Sequence, residues 1–140
     1  MRAFIDTNVL LDVLALREPF YADAASVWTL AEQHKVKGLV SVLSFCNIHY
    51  IVRRMESRQQ ADRAVTLLCD VFTPVALDGQ ILNQALAAKF KDFEDAVQYH
   101  SALHAGADCL VTRNPGHFPR GGLSVASPAE FLAAHAAEQP

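Results

Sequence analysis

Short apolar segments alternate with longer segments of helical periodicity along the whole chain. Strands and helices differ in length and in the spacing of their apolar residues, so the pattern predicts where each of them lies. The predicted strands are residues 2–5, 38–43, 71–77, 108–112 and 123–126. The predicted helices are residues 8–14, 19–34, 44–57, 60–70, 78–88, 92–104 and 128–137. Ser44 is the candidate N-cap of the third of these helices. Such alternation favours an α/β fold with a mainly parallel central sheet of about five strands, covered by helices on both faces.

Length and composition bound the possible classes of protein. The chain of 140 residues suits a single domain at residues 1–140, and no repeat or linker divides it. Hydrophobic residues make up 51% of it, which excludes disordered, collagen-like and low-complexity classes. Residues 133–140 are polar enough to fray. No apolar run approaches the ~20 residues of a membrane span, and Asp6 interrupts the apolar start, so we expect a soluble, cytoplasmic protein.

Cysteine and histidine spacing gives no clear metal signature. Cys46, Cys69 and Cys109 are too widely spaced to indicate a disulfide framework or a zinc site, and we expect buried thiols. His100 and His104 lie four residues apart on one predicted helix, a spacing that could bind zinc. A third ligand is lacking nearby, and the other interpretation is that both are partly exposed helix residues.

Polar side chains gather where the predicted parallel strands end, which is where open α/β sheets bind ligands. They are Asp6, Thr7 and Asn8 after the first strand, Asn47 after the second, Thr112, Arg113 and Asn114 after the fourth, and Asp92 with Asp95 on the helix before the fourth. Carboxylates that converge at one edge repel each other unless a cation lies between them. Oxygen ligands of this kind suit Mg²⁺ or Mn²⁺.

A simpler interpretation of the acids is helix capping. Asp6 and Asp92 can each cap the helix that follows, and Glu94 and Asp95 can interact favourably with the helix dipole. Capping does not explain why three asparagines fall near the same edge. Both interpretations stay open on these residues alone.

The net charge of the chain does not indicate a nucleic-acid partner. The chain has 12 Lys and Arg against 15 Asp and Glu, a formal charge of -3. Basic residues do cluster locally, at Lys35, Lys37, Arg53, Arg54, Arg58 and Arg63, which is also compatible with ordinary solvated helix faces. No Gly-x-Ser-x-Gly, P-loop or Gly-x-Gly-x-x-Gly motif occurs, so hydrolase triads, NTPases and dinucleotide binders have no support.

Four segments in this order resemble the PIN-domain family and, within it, the VapC-like toxins. They are Phe4-Ile-Asp-Thr-Asn-Val-Leu-Leu-Asp12, Ser41-Val-Leu-Ser-Phe-Cys-Asn-Ile-His-Tyr50, and Lys91-Asp-Phe-Glu-Asp-Ala96 followed by Val111-Thr-Arg-Asn114. The resemblance runs from Met1 to about Phe131. It implies a PIN-like three-layer sandwich and a Mg²⁺- or Mn²⁺-dependent ribonuclease. It also implies a small antitoxin protein that masks the site, and a homodimer.

The resemblance also implies roles for single residues. Asp6 matches the first acid of the family and Asp95 the acid on the later helix, while Thr7, Asn8 and Thr112 match residues that orient ligands or water. Many members have Glu where this chain has Asn47, and members with Asn there carry the same Asp-Phe-Glu-Asp segment, in which Asp92 can replace the lost acid. His117 falls where the family commonly has a further acid, which leaves Asn114 as the ligand on that loop.

Three hypotheses follow. In the first, the protein is an endoribonuclease in which Asp6 and Asp95, assisted by Asp92, hold one or two divalent ions. Asn47 and Asn114 then orient water or phosphate, and the RNA backbone contacts Arg53, Arg54 and Arg113. In the second, the fold has lost catalysis and binds RNA or a partner protein. The third is a generic α/β phosphoesterase, which lacks a nucleophile motif.

Two further expectations concern surfaces. The apolar residues Phe20, Tyr21, Trp28 and 45–50 exceed what a small core needs, which predicts a homodimer or an antitoxin groove built partly from them. His117 either weakens cation binding from an acid's position or faces solvent or RNA phosphate.

Overall fold

The computed structural model describes residues 1–139. Within these residues, five strands and seven helices follow one another: β1 Arg2–Ile5, α1 Thr7–Leu14, α2 Tyr21–Glu32, β2 Lys37–Ser41, α3 Val42–Met55, α4 Arg58–Val71, β3 Thr73–Val75, α5 Gly79–Ala88, α6 Phe93–His104, β4 Cys109–Val111, β5 Ser124–Ala126 and α7 Pro128–Glu138. A short 3₁₀ turn, Pro115–His117, follows β4. The predicted order of elements is confirmed.

All five strands pair in parallel, in the order β3-β2-β1-β4-β5. The chain builds outward from β1 to β3 and then returns to add β4 and β5 on the other side. The direction of winding therefore reverses between β1 and β4, and a crevice opens beyond the carboxyl ends of these two strands.

Helices cover both faces of the sheet, as predicted. On one face α1, α2, α3, α4 and α7 bury the larger core, to which β1 contributes Ala3 and Ile5. On the other face Phe4 packs with Leu39, Leu110 and Tyr99 of α6. The alternation of side chains along β1 thus joins the two cores, and the architecture is a three-layer sandwich.

The element boundaries differ from the prediction at the second strand. Ser41, not Ser44, caps α3, because its side chain accepts a hydrogen bond from the Leu43 backbone N–H. Ser44 lies fully buried inside the helix. The second helix begins at Tyr21, two residues after Pro19, and α7 continues through Glu138, so most of the segment expected to fray is helical. Pro140 lies outside the described residues.

Several expectations about burial are wrong. Cys46 and Cys69 are exposed thiols, and only Cys109 is buried as predicted. Trp28 and Phe45 are core residues, because each packs between helices under the sheet rather than forming an outer apolar surface. Among residues 1–139, no helix is both long and apolar enough to cross a membrane.

Candidate carboxylate site

Asp6 lies at the switch point of the sheet, immediately after β1. Its Oδ1 accepts a hydrogen bond of 2.7 Å from the Thr7 backbone N–H, which caps α1. Its Oδ2 accepts a bond of 2.8 Å from the Thr112 hydroxyl, which follows β4. Asp6 is only 5% exposed. The capping interpretation is therefore confirmed for this acid, and the same carboxylate also faces the crevice.

A buried polar network lies beside Asp6. The hydroxyls of Thr7 and Ser44 are 2.6 Å apart, and the Gln98 amide donates to both, at 3.1 and 2.9 Å. The three residues come from α1, α3 and α6, so the network holds these helices together beneath the crevice. Hydrogen bonds of this kind are stronger in the protein interior, where the dielectric constant is low. Gln98 is fully buried and was missed by the sequence analysis.

Four carboxylates line one open cavity of about 450 Å³ above this network. They are Asp6, Asp92, Glu94 and Asp95, and Thr7, Asn8 and Asn47 line the same cavity. The walls come from the start of α1, one side of α3 and the start of α6. The structure therefore brings the predicted acids of the first strand and the later helix together, along with Asn47.

Asp92 is the N-cap of α6, and Asp95 lies in the first turn of this helix. The Asp92 side chain accepts a hydrogen bond of 3.1 Å from the Asp95 backbone N–H, so Asp92 caps this helix. Asp95 Oδ2 lies 3.4 Å from His117 Nδ1. His117 therefore stands beside an acid of the cavity, although its side chain remains 61% exposed.

Glu94 was not among the predicted site residues. Its Oε1 accepts a hydrogen bond of 3.3 Å from Asn47 Nδ2, which joins α6 to α3 across the cavity. One signal in the sequence could have found it: Gln98 follows four residues later on the same helix face. A glutamate one turn before a buried polar residue, on the same helix face, is expected to point toward the polar edge of the fold rather than the apolar core.

The pKa values of three acids in the cavity are raised. Burial raises the pKa of Asp6 from 3.8 to about 6; the bonds from Thr112 and Thr7 oppose this rise, and the charges of Asp95 and Asp92 add to it. Burial, followed by the charges of Asp6 and Asp92, raises the pKa of Glu94. Burial and the charge of Asp92 raise the pKa of Asp95, against the opposite effect of His117. The cavity thus disfavours its own negative charge.

The predicted RNA-contacting cations are not gathered in this cavity. The Arg113 guanidinium pairs with Asp12, which is 1% exposed, and stacks over the Phe20 ring at 4.0 Å. Arg54 donates to the Tyr50 hydroxyl at 2.9 Å, and Tyr50 lines the cavity. Arg53 is exposed on the last turn of α3, and Asn114 is exposed on the loop after β4.

The remaining predicted polar residues have defined partners. Asn8 accepts a hydrogen bond of 3.2 Å from the Arg113 backbone N–H, which joins α1 to the loop after β4. Thr112 is fully buried. His104 Nε2 lies 2.7 Å from Gln84 Oε1 on α5.

A second, apolar groove lies next to the carboxylate cavity. Its walls are α1, α3 and the first half of α4, and it is lined by Leu11, Leu14, Ala15, Ile51, Val52, Met55, Glu56, Gln60, Arg63, Ala64 and Leu67. Met55 is 64% exposed and Leu67 is 44% exposed. Leu11 and Ile51 border both the groove and the cavity. An occupant of the groove would therefore lie next to the cavity.

The cavity fits a divalent cation by the chemistry of its donors. Its ionisable ligands are all carboxylates, and hard cations such as Mg²⁺ and Mn²⁺ prefer oxygen ligands. The raised pKa values indicate charge that a cation would neutralise. Among residues 1–139 as placed, no group of three or more His, Cys, Asp or Glu side chains is found that could hold a metal ion. Few protein ligands are usual for Mg²⁺, which keeps several waters.

Comparisons with known proteins agree with the fold. The PIN domain family profile matches residues 2–115. No curated protein matches the sequence significantly. A toxin-antitoxin complex from Klebsiella pneumoniae has a TM-score of 0.67 at 21% identity, covering 90% of this chain and 97% of that chain.

Two further solved structures are similar. VapBC-1 from nontypeable Haemophilus influenzae has a TM-score of 0.68 at 17% identity, covering 92% of this chain and 99% of the other. VapC20 from Mycobacterium tuberculosis, described as a toxin that cleaves the sarcin-ricin loop, has a TM-score of 0.62 at 14% identity, covering 77% of this chain and 86% of the other. At these identities the likeness shows the fold.

Proposed function

The chain belongs to the PIN domain family, and on that premise we propose that it is a metal-dependent endoribonuclease and the toxin of a toxin-antitoxin pair. The observation that carries the proposal is the convergence of Asp6, Asp92 and Asp95 on one open cavity at the switch point of the sheet. Solved toxin-antitoxin complexes with the same fold support the biological role.

In this proposal Asp6 and Asp95 hold Mg²⁺ or Mn²⁺, with Asp92 assisting. When bound, the cation lowers the pKa of water and neutralises negative charge on the phosphodiester. Thr112 keeps the Asp6 carboxylate oriented through its hydrogen bond of 2.8 Å. Burial of Asp6 beneath the cavity keeps its carboxylate in one orientation, so little rearrangement precedes cation binding.

Polar groups around the cavity position the RNA. Asn47 and Asn114 orient water or phosphate through neutral hydrogen bonds, and Thr7 and Asn8 support the same edge. Arg53 and Arg54 on the exposed end of α3 contact the RNA backbone. These local cations are needed because a protein with a net charge of -3 does not attract RNA as a whole. Arg113 supports the site indirectly, because its ion pair with Asp12 fixes the loop that carries Asn114.

The apolar groove beside the cavity is our candidate for the antitoxin. An amphipathic segment laid along α1, α3 and α4 would cover Met55 and Leu67 and end near the acids. This replaces the surface predicted from Trp28 and Phe45, which are buried. A homodimer and a cytoplasmic location stay predictions.

Purified protein tests the proposal. We expect cleavage of single-stranded RNA with Mn²⁺, and none with Asp6→Ala or Asp95→Ala. Glu130→Gln is the matched control, because Gln can keep the capping box of α7 and lies outside the cavity. Equal cleavage by the two alanine variants would show a contaminating nuclease and contradict the assignment.

The second candidate is a PIN-fold protein that binds RNA or a partner without cutting RNA. The imidazole of His117 beside Asp95 and the neutral amide of Asn47 favour it, because both reduce negative charge around the cavity. Calorimetry separates the two candidates. RNA or partner binding with no heat from millimolar Mn²⁺ would favour the binding protein.

A further inference from the structure

Glu94 is the acid whose side chain bridges the carboxylate cavity. It stands in the first turn of α6, and its Oε1 accepts the 3.3 Å hydrogen bond from Asn47 Nδ2 on α3. The bond engages one oxygen, and a carboxylate has a second oxygen with which to bind a cation. The contact therefore holds the exposed Glu94 side chain at the edge of the cavity, which it lines.

Asp92 makes a different contact. Its Oδ1 accepts from the backbone N–H of Asp95, three residues later, so one oxygen of its carboxylate is bound to the amino terminus of its own helix. This bond caps α6 and is local. The family resemblance implies that Asp92 compensates for the neutral Asn47, whereas Glu94 is the acid that contacts Asn47.

The two side chains are complementary. An amide on α3 can donate to a carboxylate on α6, whereas two carboxylates at these positions would repel each other. One carboxylate and one amide are therefore compatible with positions 47 and 94. The carboxylate could be at either of the two positions. Both residues line the cavity that contains Asp6 and Asp95.

We propose that Glu94 is a ligand of the divalent cation held in this cavity and that Asn47 positions it. The inference rests on the proposed function, since it assigns a further ligand to the same cation. Asp92 then serves chiefly as the cap of α6. Asn47 is a positioning residue, which acts on the cation through Glu94.

Calorimetric titration with Mn²⁺ measures the ligand role without activity. We expect Glu94→Gln to weaken Mn²⁺ binding by at least about tenfold, a loss typical of groups that hold a metal or orient its ligands. Asp92→Asn should cost less, since Asn caps helices as well as Asp. Glu130→Gln, a first-turn glutamate of α7, is the matched control and should bind like the wild type.

An exchange of the two side chains tests the positioning role. The double variant Asn47→Glu with Glu94→Gln returns a carboxylate to the contact from the α3 side, and Gln can supply the amide. We expect it to recover most of the affinity lost in Glu94→Gln alone. A residue that only stabilises the fold would give no such recovery, and unfolding curves of each variant show whether it is folded.

The outcomes separate this inference from the proposed function. If Asp6→Asn abolishes Mn²⁺ binding while Glu94→Gln leaves it unchanged, the assignment of Glu94 is overturned and the metal site stands. If Asp92→Asn costs more affinity than Glu94→Gln, Asp92 is the compensating acid. If the double variant binds no better than Glu94→Gln, the positioning role of Asn47 is wrong. If the wild type binds no Mn²⁺, the metal-dependent function and this inference fail together.

Discussion

Thr112 donates a hydrogen bond of 2.8 Å to Asp6 Oδ2, although the two residues lie 106 positions apart in the chain. The bond forms because β1 and β4 are parallel neighbours, so the residues that follow them meet at the same edge. It also connects the strand that opens the sheet with the strand added after the winding reverses. The catalytic geometry proposed for this protein therefore depends on a pairing at the centre of the fold.

Asp6→Asn should stabilise the metal-free protein at neutral pH. Burial raises the pKa of Asp6 from 3.8 to about 6, so the folded state holds this proton more tightly than the unfolded state. The stability that Asp6 contributes to the folded state is fully present below pH 3.8, and it is lost as the pH rises through about 6. We expect a gain of about 1–3 kcal/mol at pH 7.5 in EDTA, and none at pH 3.5. Urea unfolding at both pH values measures it; an equal effect at both would contradict the linkage.

Thr112→Val should destabilise the protein, because it leaves a buried carboxylate oxygen without its donor. The expected loss is about 1–3 kcal/mol at pH 7.5, and the pKa of Asp6 should rise further. Thr112→Ser keeps the hydroxyl and is the control. If the Val variant, which keeps the methyl group and loses only the hydroxyl, is as stable as the wild type in denaturant unfolding, the hydrogen bond contributes nothing to stability.

Arg113→Ala should be among the most destabilising surface-loop changes. It would leave Asp12, which is 1% exposed, without its counter-ion. Breaking a buried ion pair from one side costs about 3–5 kcal/mol, whereas an exposed change usually costs less than about 0.5 kcal/mol. Arg53→Ala is the exposed control. Equal unfolding midpoints for the two variants would show that the ion pair contributes nothing.

His117→Asp should tighten Mn²⁺ binding. It replaces an imidazole 3.4 Å from Asp95 with another oxygen ligand. Calorimetry measures it. Identical affinities for variant and wild type would defeat the ligand-position interpretation and favour contact of His117 with RNA phosphate.

Local signals account for what the sequence predicted well. Strand and helix periods differ, and Asp6, Asp78 and Asp92 each precede a helix that they cap. The convergence of Asp6 and Asp95 followed from parallel strands, since their carboxyl ends share one edge. Cap residues and strand ends are properties of a few neighbouring positions, and a single sequence contains them.

Contacts between distant elements could not be read in the same way. The sequence places Arg113 at the correct edge, but its pairing with Asp12 depends on how α1 packs beside the loop after β4. Glu94 faces Asn47 because α6 and α3 lie on opposite walls of one cavity, and this rotation of α6 is set by Gln98 and the core. Ser44 was mistaken for a cap because its buried partners, Thr7 and Gln98, come from other helices.

The most direct test of the metal-dependent nuclease is a comparison of two Mn²⁺ titrations on the same preparation. Calorimetry gives the concentration at which half of the protein binds Mn²⁺, and a cleavage assay on single-stranded RNA gives the concentration at half-maximal rate. We predict that the two concentrations agree for the wild type and that both rise together in Asp95→Asn. Cleavage that persists in EDTA, or that saturates without measurable Mn²⁺ binding, would contradict the account.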